Sequence, residues 1–177
     1  MIAFFEKIID VLNKQNIPYM LSGSVAMSLY IVPRTTQDFD FIVHLQSHDV
    51  NEFVSNFPQD EYYCDKDSIQ EAVKNKAMFN IIDHSSGFKA DFVILKNEEF
   101  RQREFDRRTP MDFFGKAIYA VSAEDLLISK LIWIQDYQWS QQKEDIKNLA
   151  EIDELDWKYI KEWIGKLKLN TFALLPT

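Results

Sequence analysis

Two aspartates one residue apart, Asp38 and Asp40, head the run Asp38-Phe39-Asp40-Phe41-Ile42-Val43-His44-Leu45. Side chains along a strand alternate between faces, so both carboxylates leave on one side, with Ile42 and His44, while Phe39, Phe41, Val43 and Leu45 leave on the other. Two anions held that close repel, and a divalent cation that takes hard oxygen ligands, Mg²⁺ above all, offsets the repulsion. Upstream, Leu21-Ser22-Gly23-Ser24 reads as a short strand turning into a short helix over Val25 to Tyr30, with Ser22 as its N-cap. A glycine at such a turn lets backbone approach a ligand closely, and the N–H groups of the new helix favour phosphate. Phosphate and metal would then share one site.

Taken alone, D-x-D also describes the wet face of an amphipathic strand, and Gly23 a plain turn. The combination is more specific. An apolar-x-Gly-Ser turn follows a strand, 13 residues separate Ser24 from Asp38, and Arg34 and Thr36 complete an R-x-T-x-D-x-D run.

Leu21-Ser22-Gly23-Ser24 and Asp38-Phe39-Asp40-Phe41 together resemble the signature of the nucleotidyltransferase superfamily typified by DNA polymerase beta. The R-x-T-x-D-x-D run looks more narrowly like the small bacterial nucleotidyltransferases related to abortive-infection toxins of toxin-antitoxin systems. The resemblance implies an α/β (α+β) nucleotidyltransferase fold: a mixed, mainly antiparallel sheet flanked by helices, with a helical C-terminal portion. It implies two Mg²⁺ ions on Asp38 and Asp40, an NTP as substrate, and a third carboxylate on a later strand beside the first two. Lys89-Ala90-Asp91-Phe92-Val93-Ile94 is the segment that matches, so Asp91 is the expected third ligand. Gly23, Ser24, Arg34 and Thr36 are then candidate nucleotide contacts.

The remaining elements follow from periodicity. Ile2, Phe5, Ile9 and Leu12 recur at helical spacing and predict a helix from Ile2 to Gln15, closed by Pro18. Ser47 reads as the N-cap of a helix carrying Val50, Phe53, Val54 and Phe57, and Ser68 to Asn75 as another helix. Ala77 to Asp83 and Phe88 to Leu95 form a hairpin around His84-Ser85-Ser86-Gly87. Glu98 to Arg108 is a charged helix, and Met111 to Val121 a second hairpin around Gly115. Ser122-Ala123-Glu124-Asp125 has the form of a capping box leading into an apolar helix.

Inside that apolar helix, Lys130 must either snorkel out or meet an anion. The toxin-related transferases look similar here, with a later Lys-x-x-Asp-Ile element that Gln142-Lys143-Glu144-Asp145-Ile146 partly echoes, its lysine displaced by one position. On that likeness Lys130 is a candidate for the triphosphate. Helices over Gln141 to Ile152 and Leu155 to Leu169 complete the chain. The latter bears the stripe Trp157, Ile160, Trp163, Ile164 and Leu167, which suits a core or a docked partner: an antitoxin or a second copy.

The 177 residues, 46% hydrophobic and 14% aromatic, suffice for one compact domain, read as a core over 1–121 and a packed helical portion over 122–177. A single cysteine, Cys64, excludes an internal disulfide and fits a reducing, cytoplasmic setting. No run is long and apolar enough for a membrane helix. A net charge of −8 leaves only local basic clusters, unlike the basic face of a protein committed to long nucleic acid. The acceptor is therefore left among a tRNA end, a protein hydroxyl and a small molecule. The competing readings are a binding protein that keeps the fold without catalysis, and an antibiotic adenylyltransferase, whose cationic substrate an acidic surface suits.

Overall fold

Phe4, Phe5, Ile8, Ile9, Val11 and Leu12 lie on one side of the first helix, α1 (Ile2–Lys14), and all are buried. A computed structural model describes residues 2–32, 36, 38–136 and 139–176. After α1 come β1 (Tyr19–Ser22), α2 (Gly23–Met27), β2 (Asp38–Val43), α3 (Val50–Ser55), β3 (Tyr62–Tyr63), α4 (Lys66–Asn75), β4 (Met78–Asp83) and β5 (Lys89–Ile94). The chain continues through α5 (Glu99–Asp106), β6 (Thr109–Phe113), β7 (Lys116–Ala120), α6 (Ala123–Trp133), α7 (Ser140–Ala150) and α8 (Trp157–Leu167).

The strands form a sheet in the order β3-β4-β5-β2-β1-β7-β6. The β2–β5 and β1–β7 pairs are parallel and the other neighbours antiparallel, which is the mixed, mainly antiparallel sheet expected. Strict alternation gives this sheet its two faces. In β2 and β5 every second side chain, Phe39, Phe41, Val43, Ala90, Phe92 and Ile94, is buried. The Phe5 ring of α1 lies 5.2 Å from Phe39 and 6.0 Å from Phe41, Phe53 of α3 lies 5.8 Å from Phe92, and Phe79 stacks on Phe92 at 4.9 Å. Each such pair contributes about 0.5–1.5 kcal/mol beyond its buried area. The opposite face is left to Asp38, Asp40 and Asp91, and α2 packs against β2 on the way to α6.

The C-terminal helices are tied down by buried polar groups. Ser122 caps α6, and its hydroxyl bonds the Asp125 carboxylate at 2.8 Å. The same buried carboxylate accepts from Arg107 Nε at 2.9 Å and from the Tyr159 hydroxyl at 2.6 Å, which joins α5, α6 and α8. Fully buried Glu104 accepts from Arg101 and Ser129. A buried carboxylate is tolerated only with such partners. In the stripe on α8, Ile160 and Trp163 are buried in the chain's own core, with Trp163 edge-on to Phe100.

Local starts differ from the sequence expectation in two places. The third helix is capped at Asp49, whose carboxylate accepts from the Gln46 N–H, and Ser47 sits in the preceding turn. The second helix starts at Gly23, ahead of Val25, and Ser22 stands at its N-cap position without a side-chain bond. No helix among the described residues is long and apolar enough to cross a membrane.

Candidate active site

Two strands bring the carboxylates together. Asp40 in β2 lies in register with Ser22 on β1 and with Asp91 on β5, and Asp38 lies in register with Lys89. Neighbouring strands run about 4.8 Å apart, so Asp40 and Asp91 project side by side from the same face. Asp91, expected on a later strand beside the D-x-D pair, is thus paired directly with Asp40, 51 positions earlier in the chain.

Gly23 fits against this cluster from above. Its φ is +63°, which favours glycine, and a Cβ built there would come within 2.7 Å of Asp40 Cβ and nearer still to the carboxylate. The N–H of Ser24, next in the chain, donates to Asp40. The turn that sequence alone assigns to phosphate is thus also the seat of the Asp40 side chain. Thr36 uses its hydroxyl locally, 3.3 Å from the N–H of Asp38, and so fixes the entry into β2. Arg34 lies outside the described residues.

Burial pushes the Asp40 carboxyl up to about 6, with the Asp91 and Asp38 charges adding to the rise; Lys130 and the Ser24 N–H act the other way. The Lys130 ammonium is thus close enough for its charge to act on Asp40. Lys130 is 6% exposed, so it does not snorkel: its Nζ lies 2.7 Å from Asp145 Oδ2 and 3.2 Å from Gln142 Oε1. Asp145, itself buried, belongs to the partial Lys-x-x-Asp-Ile echo, and sequence reasoning did not single it out as a site residue. His44 is exposed past the end of β2.

A lysine that sequence reasoning passed over stands between the carboxylates. Lys89 Nζ lies 2.8 Å from Asp91 Oδ2 and 3.7 Å from Asp38 Oδ1, and the bonded Asp91 carboxylate raises its pKa. The other Asp91 oxygen, Oδ1, is buried with no hydrogen-bond donor among the described residues. Among the described residues no three His, Cys, Asp or Glu side chains converge into a ready-made metal cluster. The donors nonetheless suit a hard divalent cation: paired carboxylates, one buried oxygen lacking a donor, and an ammonium already attracted to the gap between Asp38 and Asp91. The only spacing signal for Lys89 was its place two residues before Asp91, on the same strand face.

The sequence matches the family model described as "Nucleotidyltransferase of unknown function (DUF6036)" over residues 1–172. No curated protein matches it significantly. Among solved structures the fold is similar to the antibiotic-resistance factor ANT(2'')-Ia in complex with adenylyl-2''-tobramycin, with TM-score 0.60, 12% identity, and 94% of this chain and 95% of that chain covered. It is similar also to the lincosamide antibiotic adenylyltransferase LnuA, lincomycin-bound, with TM-score 0.55, 13% identity and coverage of 82% and 93%. An antigenic nucleotidyltransferase-like protein from Paracoccidioides brasiliensis matches with TM-score 0.52, 17% identity and coverage of 88% and 81%. At these identities the likeness is one of fold.

Proposed function

The chain belongs to the DUF6036 nucleotidyltransferase family, and from that premise we propose that it moves a nucleoside monophosphate from an NTP to a hydroxyl acceptor, releasing pyrophosphate. The observation that carries the proposal is the in-register placement of Asp40 and Asp91, with Asp38 on the same face, beneath the Gly23 turn. Two Mg²⁺ ions held by Asp38, Asp40 and Asp91 would supply an acidified acceptor hydroxyl and neutralised phosphate charge.

The chain's own groups divide the rest of the work. Asp91 would receive the acceptor proton as the hydroxyl oxygen bonds to the α-phosphorus and the bond to pyrophosphate breaks. Gly23 and Ser24 would hold the β and γ phosphates, and Arg34 and Lys130 would add positive charge there. Thr36 supports the site by holding the backbone of Asp38.

For the acceptor, a net charge of −8 favours a cationic small molecule over a polyanion. The fold shared with a lincosamide antibiotic adenylyltransferase and with an antibiotic-resistance factor solved with adenylyl-2''-tobramycin supports the same reading. A tRNA end or a protein hydroxyl is the acceptor a toxin of a toxin-antitoxin pair would use. The test is incubation with each α-labelled NTP and Mg²⁺ in cell lysate, with aminoglycosides and lincosamides added in parallel. Label entering the small-molecule, RNA or protein fraction identifies the acceptor class. Label transfer by wild type but not by Asp38→Asn supports the reading, and equal transfer by both contradicts it.

A further inference from the structure

We propose that Lys89 is a built-in counter-cation, which holds the carboxylate face together in the metal-free protein and is displaced when a divalent ion enters. The inference rests on the metal-dependent reading above and adds to it a residue that sets when the metal binds. Lys89 faces Asp38 across the parallel β2–β5 pair and shares a strand face with Asp91. Its ammonium bonds one Asp91 oxygen at 2.8 Å and lies 3.7 Å from Asp38.

Three features separate this arrangement from a permanent structural salt bridge. The side chain is 33% exposed, so the ammonium has a route to water on its flexible stem and regains hydration on leaving. It satisfies Asp91 Oδ2 while Oδ1 remains buried without a donor among the described residues, so the carboxylate is only half used. Finally, it bridges the two carboxylates that flank Asp40, the place a divalent ligand set would need. An ammonium and a divalent ion bound to the same carboxylates repel, so occupancy by one opposes the other. Metal alone must therefore compete with Lys89. Metal arriving with a triphosphate does not, because the phosphates offer the displaced ammonium a new anion. Lys89 would thereby couple metal loading to nucleotide loading.

The test measures Mn²⁺ binding without nucleotide, from the free-ion electron paramagnetic resonance signal, for wild type, Lys89→Met, Lys89→Gln and Lys89→Arg. A partly exposed ion pair contributes up to about 1 kcal/mol, so the two neutral variants should bind Mn²⁺ about fivefold more tightly. Lys89→Gln keeps a donor to Asp91 and guards against misfolding, and Lys89→Arg, which keeps the charge, should stay near wild type. In metal-free buffer the neutral variants should melt lower than wild type and gain more on adding Mn²⁺. Equal or weaker Mn²⁺ binding in both neutral variants overturns the counter-cation role while leaving the metal reading intact. No Mn²⁺ binding by any variant, with or without a non-hydrolysable NTP, overturns both.

Discussion

Gly23 and Asp40 occupy space that cannot be shared with a further side chain: a Cβ on Gly23 would overlap the Asp40 carboxylate, and the φ of +63° penalises any residue but glycine. Gly23→Ala should therefore cost about 1–2 kcal/mol for the left-handed backbone alone, and more from displacing Asp40. Thermal unfolding and label transfer should both fall. In an Asp40→Ala background the added cost of Gly23→Ala should shrink, because the carboxylate it strikes is gone. An unchanged penalty in the two backgrounds would mean that the collision with Asp40 is not what makes glycine necessary.

The raised pKa of Asp40 gives metal-free stability a pH dependence of known sign. Folding favours its protonated form, so the contribution is fully present below the unfolded value of 3.8 and is lost as pH rises through about 6. The rise from 3.8 to about 6 corresponds to about 3 kcal/mol. Asp65, Asp83 and Glu162, whose pKa values are lowered, contribute with the opposite sign, so the difference between wild type and Asp40→Asn isolates the effect. Urea unfolding in chelator should show Asp40→Asn gaining on wild type between pH 4 and about pH 7. A difference that is flat with pH would contradict the burial of Asp40 beside the Asp91 and Asp38 charges.

How much of this was legible in sequence depended on the range of the interaction. The α1 helix, the alternation in β2, and the Ser122 cap are local patterns, and each stands where the sequence put it. The two-residue strand Tyr62–Tyr63 is too short to have a period. Lys89 could not be recognised as a partner of Asp38 before the parallel register of β2 and β5 was known, since their contact is set by strand pairing and not by spacing. For Lys130 the sequence left two outcomes, and the choice was made by Asp145, 15 residues on and on a different helix. Gly23 was read for its freedom toward a phosphate, yet its fit against Asp40 appears only when β1 and β2 pair.

The Lys130–Asp145 pair distinguishes packing from chemistry. Both groups are buried, so breaking their ion pair is costly, and Asp145→Leu should cost about 3–5 kcal/mol in chemical unfolding. The double variant Lys130→Met with Asp145→Leu removes both charges and should recover most of that stability. If Lys130 serves the nucleotide, the recovered fold should still bind a non-hydrolysable NTP at least tenfold more weakly than wild type. Wild-type NTP affinity in the stable double variant would make the pair purely structural.

The central claim is that Asp38, Asp40 and Asp91 form a site for divalent metal and nucleotide, and the most direct measurement is thermal unfolding with and without Mg²⁺ and each NTP. Ligand at about 100 times its dissociation constant stabilises by about 2.7 kcal/mol, several degrees for a domain of this size. Wild type should show that rise with Mg²⁺ and at least one NTP at millimolar concentration. Asp40→Asn should melt at or above wild type without ligand, one repelling charge having been removed, and should rise little further when both are added. A wild-type melting temperature that no NTP shifts in the presence of Mg²⁺ would contradict the claim and favour a protein that keeps this fold without its chemistry.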